Sequence, residues 1–222
     1  MNTVKKIYII LSMAILGIAM LTSATYNDDN DSPTQSQWTD EELAKANTAA
    51  RCSGLAKVDK DIIFYCNLAR LDGAKFWRTY GKSYAKGSAS YVNSLERDLM
   101  KVKDRPMLVP EASLTRAAEA HASDMLVNDF FDHTSFDGTS FGQRVRSYYK
   151  GGFIAENLAA GYNHALSIVM QLLVDDNVPS VGHRKNILNE QYNAVGVNTT
   201  VHKTWRNITV MDFGDTVYDN VE

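Results

Sequence analysis

Apolar residues recur along this chain in two rhythms. Between Pro110 and Asp129, Leu114, Ala118, His121 and Met125 fall three or four apart, which puts them on one stripe of a helix with Ser113 as its cap. A similar stripe runs from Asp59 through Ile62, Ile63, Cys66, Ala69 and Leu71, where Gly73 is placed to stop it. A third helix spans Asn163 to Asp175, with Ala165, Ile168, Val169, Leu172 and Leu173 on its inner face, and Pro179 breaks the chain beyond it. The second rhythm is alternation. Phe153 to Leu158 reads as a short strand in which Glu156 takes the face opposite Ala155 and Asn157. Ala194 to Val201 and Trp205 to Phe213, rich in Val, Thr and Ile, are joined so briefly around His202 and Lys203 that they form an antiparallel hairpin. Interspersed helices and strands ending in a hairpin predict an α+β fold.

The flanks read differently. Lys5 and Lys6 precede an apolar run from Ile7 to Leu21 and the small residues Thr22, Ser23 and Ala24, the pattern of a secretory signal peptide over 1–24. The run holds about fifteen residues where a bilayer span needs about twenty, so cleavage after Ala24 is expected and no transmembrane anchor in the mature form. Residues 25–45 are largely polar and read as a tether, although Thr39 and Glu42 have the spacing of a capping box ahead of a short helix. The remaining 46–222, with a hydrophobic fraction of 45% over the whole chain, suffices for one domain with one core. Within it, 74–106 is rich in aromatics: Phe76, Trp77, Tyr80, Tyr84 and Tyr91. They could form a flap facing a ligand, or two further helices packed on the core. The spacing Tyr91, Leu95, Leu99, Val102 favours the helices.

Charge narrows the partners. The signal peptide holds two of the 23 basic residues and none of the 26 acidic ones, so the exported chain carries a net charge of −5. Its basic clusters, such as 101–105, are short and interrupted, and nucleic acid is not an expected partner. The two cysteines, Cys52 and Cys66, would meet an oxidising compartment, and their even count predicts a bridge. The apolar stripe around Cys66 equally suits a free buried thiol.

Three polar segments carry the chemistry: DHTSFDG at 132–138, AEN at 155–157 and GHRKNIL at 182–188. Each supplies a group able to titrate or ligate near neutral pH, namely His133, Glu156 and His183. Fifty residues separate the two histidines, so only the fold can bring them together. His121, on a buried stripe, is assigned to structure. HExxH, GxSxG, CxxC and glycine-rich phosphate loops are all absent from the sequence.

HTSFDGTSF, AENLAAGY and GHRKNIL in this order, followed by a strand pair ending in MDFGD, resemble the bacterial branch of the CAP superfamily, which groups cysteine-rich secretory, antigen 5 and pathogenesis-related 1 proteins. The resemblance runs from about Asp59 to Asp215, with 74–106 as an insertion. It implies a three-layer α-β-α sandwich with a mainly antiparallel central sheet, and a cleft lined by two histidines and two acids. His133, Glu156 and His183 match three of the four. The fourth falls on Asp175 or Asp176, and counting from Leu172, which stands where the family has Trp, gives Asp175. His133 and His183 would bind zinc reversibly, or the four groups would form a hydrogen-bond network fixing the cleft. By the same resemblance the chain is a secreted, extracellular or periplasmic module binding a lipid, a small hydrophobic molecule or a protein. The alternative is a metal-assisted hydrolase, a peptidase or esterase, with Glu156, Asp175 or His133 as catalytic candidates. A serine hydrolase using Ser135 ranks below both.

Overall fold

The computed structural model describes residues 37–216. The expected signal peptide and residues 25–36 of the expected tether lie outside the described residues. The folded chain begins earlier than residue 46. Helix α1 (Asp40–Ala46) is opened by a capping box in which Thr39 Oγ1 accepts from Glu42 N and Glu42 Oε2 from Thr39 N. Trp38 before it is buried and donates its Nε1–H to Thr79 Oγ1 at 3.2 Å. The boundary drawn at 45 therefore gives way to one before Trp38, because an indole and a capped turn anchor the segment.

Helix α2 (Lys57–Leu71) buries Ile62, Ile63, Cys66, Ala69 and Leu71, its expected stripe. Gly73 does not stop it. Asp72 ends α2 and caps α3 (Gly73–Phe76) by accepting from Lys75 N at 2.8 Å, and a side chain on Gly73 would overlap the Leu99 carbonyl. The chain continues through a π turn (Trp77–Gly81) into α4 (Lys82–Tyr84), then α5 (Ala89–Leu99). Phe76, Trp77, Tyr80, Leu95, Leu99 and Val102 are buried in one cluster with α2, so these aromatics serve as core. Cys66 is buried, Cys52 is half-buried, and both are free thiols. The expected disulfide is not formed: α2 turns Cys66 into the core.

The strands β1 (Val109–Pro110), β2 (Ile154–Ala160), β3 (Ala194–His202) and β4 (Arg206–Gly214) form one sheet in the order β1-β3-β4-β2. β3 pairs antiparallel with β4 and β4 with β2, but β1 pairs parallel with β3. The sheet is thus mixed, and the expectation of a mainly antiparallel one is corrected. The cause lies in a buried side chain. Asn67 of α2 accepts from Leu108 N at 2.8 Å and donates to Leu108 O at 2.9 Å, and so lays the incoming chain along β3 in that direction.

Alternate residues of the hairpin enter different clusters. Val195, Val197, Met211 and Phe213 pack with α2 and with α8 (Ala165–Val174). Ile208, Val210 and Leu158 pack against Ala118, Ala122 and Met125 of α6 (Ala112–Asn128), and Ala194 against Leu114 and Ala117. Gly196 of β3 has no room for a side chain, because the backbone of α6 at Leu114 lies against it. The cap of α6 is Glu111, whose Oε2 accepts from Leu114 N at 2.7 Å, and the expected cap Ser113 donates to the other oxygen of Glu111. Two short helices complete the fold, α7 (Phe141–Tyr148) and α9 (Gly182–Leu188).

Candidate functional site

The four expected site residues form two imidazole–carboxylate pairs. In the first, His133 Nδ1 lies 2.7 Å from Glu156 Oε1. His133 stands on the loop between α6 and α7, and four contacts hold that loop. His121 Nε2 donates to Asp132 O at 2.8 Å, Asp124 Oδ2 accepts from Phe136 N at 2.9 Å, and Arg144 Nη1 donates to both His133 O and Ser135 Oγ at 3.0 Å. The other end of Arg144 reaches Glu156 Oε2 at 2.5 Å. One buried guanidinium therefore fixes both the carboxylate and the backbone of its histidine partner. The Glu156 side chain is 1% exposed and that of His133 52%, so the acid is the buried anchor and the imidazole faces outward.

The second pair joins His183 Nδ1 to Asp175 Oδ1 at 2.6 Å, with His183 N donating to Asp175 Oδ2 at 2.9 Å. Asp175 is the residue after α8, with φ 56°, and Asn177 and Val181 also have positive φ. A β-branched residue pays steric strain there, of the order of 1–3 kcal/mol. This tight passage turns His183, in the first turn of α9, back onto Asp175. Asp176 is engaged elsewhere: its Oδ1 accepts from Ser88 N and Ser88 Oγ at 3.2 and 2.7 Å, fastening the 74–106 segment. Of the two acids in LLVDD, Asp175 is the one that meets a histidine.

β2 connects the pairs. Glu156 and Asn157 are neighbours on it and project to opposite faces. The wholly buried Asn157 donates from Nδ2 to His183 O at 3.0 Å and accepts from Asn186 Nδ2 at 2.9 Å, and Asn186 also donates to Glu156 O. Each histidine uses Nδ1 towards a carboxylate, which as an Nδ1–H donor leaves Nε2 with a lone pair. For zinc, the two Nε2 atoms are thus the available protein donors. Among the described residues no three of His, Cys, Asp and Glu are placed together to hold a metal ion. This donor set fits a loosely held ion completed by water and not a retained structural zinc.

A cavity of about 390 Å3 adjoins the second pair. Leu158, Met170, Leu172 and Val178 line it together with the polar Ser167, Gln171, Asp175, Asp176, Asn177 and His183, and Tyr84 and Lys86 of the 74–106 segment also border it. The remaining sequence candidate, Ser135, falls elsewhere: its Oγ accepts from Arg144 and, among the described residues, has no hydrogen bond to an imidazole. His202 is buried with Nε2 against Met125 O and Phe130 O.

Three residues of the site escaped sequence reasoning: Arg144, Asn157 and Asp212. Asn157 was visible in the AEN triplet, and Arg144 follows a Ser140/Gln143 capping box that marks α7. Asp212 is fully buried beside Glu156 on β4, and burial first, then the charge of Glu156, pushes its carboxyl well above the usual range. Burial holds His121 below the ordinary histidine value.

Comparison with known proteins matches residues 65–213 to the family described as CAP, the cysteine-rich secretory protein family. No curated protein matches the chain significantly. Among solved structures, an extracellular SCP-domain protein from Bacillus anthracis is 20% identical with a TM-score of 0.45, over 74% of this chain and 45% of its own length. An outer surface protein from Borrelia burgdorferi is 19% identical with a TM-score of 0.46, over 72% of this chain and 96% of its own. A cysteine-rich secretory protein from Staphylococcus aureus is 18% identical with a TM-score of 0.38, over 57% and 38%.

Proposed function

The chain belongs to the CAP family of cysteine-rich secretory proteins, and from that premise we propose that it is an exported binding module of three-layer α-β-α build, whose ligand, a lipid or other small hydrophobic molecule, sits in the cavity beside His183 and Asp175. Export rests on the pattern of residues 1–24. The observation that carries the binding reading is the state of the two acids. The Glu156 and Asp175 side chains are 1% and 2% exposed, and both oxygens of each already accept hydrogen bonds from an imidazole, a guanidinium or a backbone N–H. A general base must reach the proton it removes, and neither acid is free to do so. The cavity, in contrast, sets Leu158, Met170, Leu172 and Val178 among polar groups that can orient a ligand, Asp175 and His183 included.

Zinc is a second reading, favoured by the two Nε2 atoms. When bound, the ion would supply a Lewis acid and a polarised water. The residues of this chain would orient it: Glu156 and Asp175 fix the ring planes and tautomers of His133 and His183. Calorimetric titration of zinc into wild type, His133→Ala and His183→Ala tests this reading, since either substitution should abolish binding if both rings hold one ion. Equal heats from all three proteins would remove it. The binding reading itself predicts no turnover of a broad peptide and ester panel, with or without zinc. Turnover that His133→Ala abolishes would replace it with the hydrolase.

A further inference from the structure

Asp212 lies directly across from Glu156 in the antiparallel pairing of β4 with β2, so the two side chains share a face of the sheet. Its neighbour on the other side is Gly196 of β3, which has no side chain to offer. Asp212 is 0% exposed, and among the described residues neither of its carboxylate oxygens has a donor. The oxygens of Glu156 are held by His133 Nδ1 and Arg144 Nη2, and the strand register sets the buried carboxyl of Asp212 beside them on the same face. Two ionised carboxylates cannot bond each other, whereas a carboxylic acid and a carboxylate can. Two acids confined to one buried site also resist carrying two charges, and one of them keeps its proton.

We propose that Asp212 is a positioning residue of the site, which at neutral pH keeps its proton and donates it in a hydrogen bond to Glu156. Glu156 then carries the single negative charge that His133 and Arg144 share. This neutral third partner keeps Glu156 an acceptor towards His133 and holds the imidazole as the Nδ1–H tautomer with Nε2 outward. The groups facing Asp212 agree with that charge count. Among the described residues Arg144 on α7 is the one cation beside the pair, and it is spent on Glu156. His121 on α6 donates through Nε2 to Asp132 O, which leaves its buried Nδ1 an uncharged acceptor. The rival arrangement is an ionised Asp212 taking the N–H of Arg144 Nε, which is buried and has no partner among the described residues.

Carboxyl-carbon NMR of the full chain with labelled aspartate separates the two, the Asp212 signal being assigned by its loss in Asp212→Asn. The proposal expects that signal at the protonated position at pH 7, moving only at higher pH. A signal at the ionised position from about pH 6 upward overturns it. The ring nitrogens of His133 give the positioning readout. Asp212→Asn, neutral and still a donor, should leave the Nδ1–H tautomer of His133 unchanged. Asp212→Leu removes the donor and should mix the His133 tautomers; an unchanged tautomer in a folded Asp212→Leu protein would overturn the positioning role. If Asp212→Leu fails to fold, the carboxyl signal and the His133 tautomer in Asp212→Asn decide alone.

Discussion

Two buried charges set the stability of single positions. Arg144 is held by Glu156, His133 O and Ser135, and truncating it leaves the Glu156 carboxylate buried without its main counter-charge. Arg144→Met is expected to cost about 3 kcal/mol or more in urea unfolding, with Arg144→Lys recovering only part because an ammonium cannot span the three acceptors as the fork does. Asp59, in the first turn of α2, behaves oppositely. Burial raises its carboxyl from 3.8 to about 6, against the hydrogen bonds from Thr199. Between those values the folded chain holds more proton than the unfolded one, so stability falls as pH rises and the penalty is complete at neutral pH. At about 1.4 kcal/mol per unit it amounts to at most about 3 kcal/mol. Asp59→Asn should therefore stabilise the protein at pH 7 and give little gain near pH 4, which unfolding at the two pH values checks.

Elements differ in how far their sequence announces them. The stripes of α2, α6 and α8 and the alternation of β3 and β4 are local signals, and the structure places them within a few residues of where the pattern does. β1 is a two-residue strand containing a proline, made a strand only by Asn67 and β3, so no local rhythm could reveal it. α7 and α9 are short and mostly polar; the Ser140/Gln143 box was the legible trace of one, while α9 follows a strained Val181 that no propensity foretells. The same division holds for the site. His133, Glu156 and His183 stood in recognisable polar segments, and Asp212 was hidden as one more strand residue. Cys66 shows the element deciding the chemistry: α2 buries the thiol, and burial pushes it up to about 12. An alkylating reagent near pH 8 should label Cys52 alone until denaturant is added, and reductant should leave the unfolding midpoint unchanged. A reductant-dependent midpoint would mean that the two cysteines are bridged.

At the scale of the molecule, the 74–106 segment ties the core to the site. Its buried aromatics pack on α2, while Arg184 of α9 donates to Tyr91 O, Ser94 Oγ and Asp98 as well as to the last carbonyls of α8. Together with the Asp176–Ser88 contact, this places Tyr84 and Lys86 against the cavity that His183 and Asp175 border. The segment thus borders the cavity with Tyr84 and Lys86 and holds α9 with Tyr91, Ser94 and Asp98. Ser167 lines the same cavity from the partly exposed side of α8, where a larger side chain would fill the space without entering the core. The most direct test is a fluorescence titration of a dansylated fatty acid into the wild-type protein and Ser167→Trp. One saturable site is expected in the wild type and at least about tenfold weaker binding in the variant, a loss of about 1.4 kcal/mol. Equal affinity in the two proteins, or no saturable binding to the wild type, would contradict the binding reading.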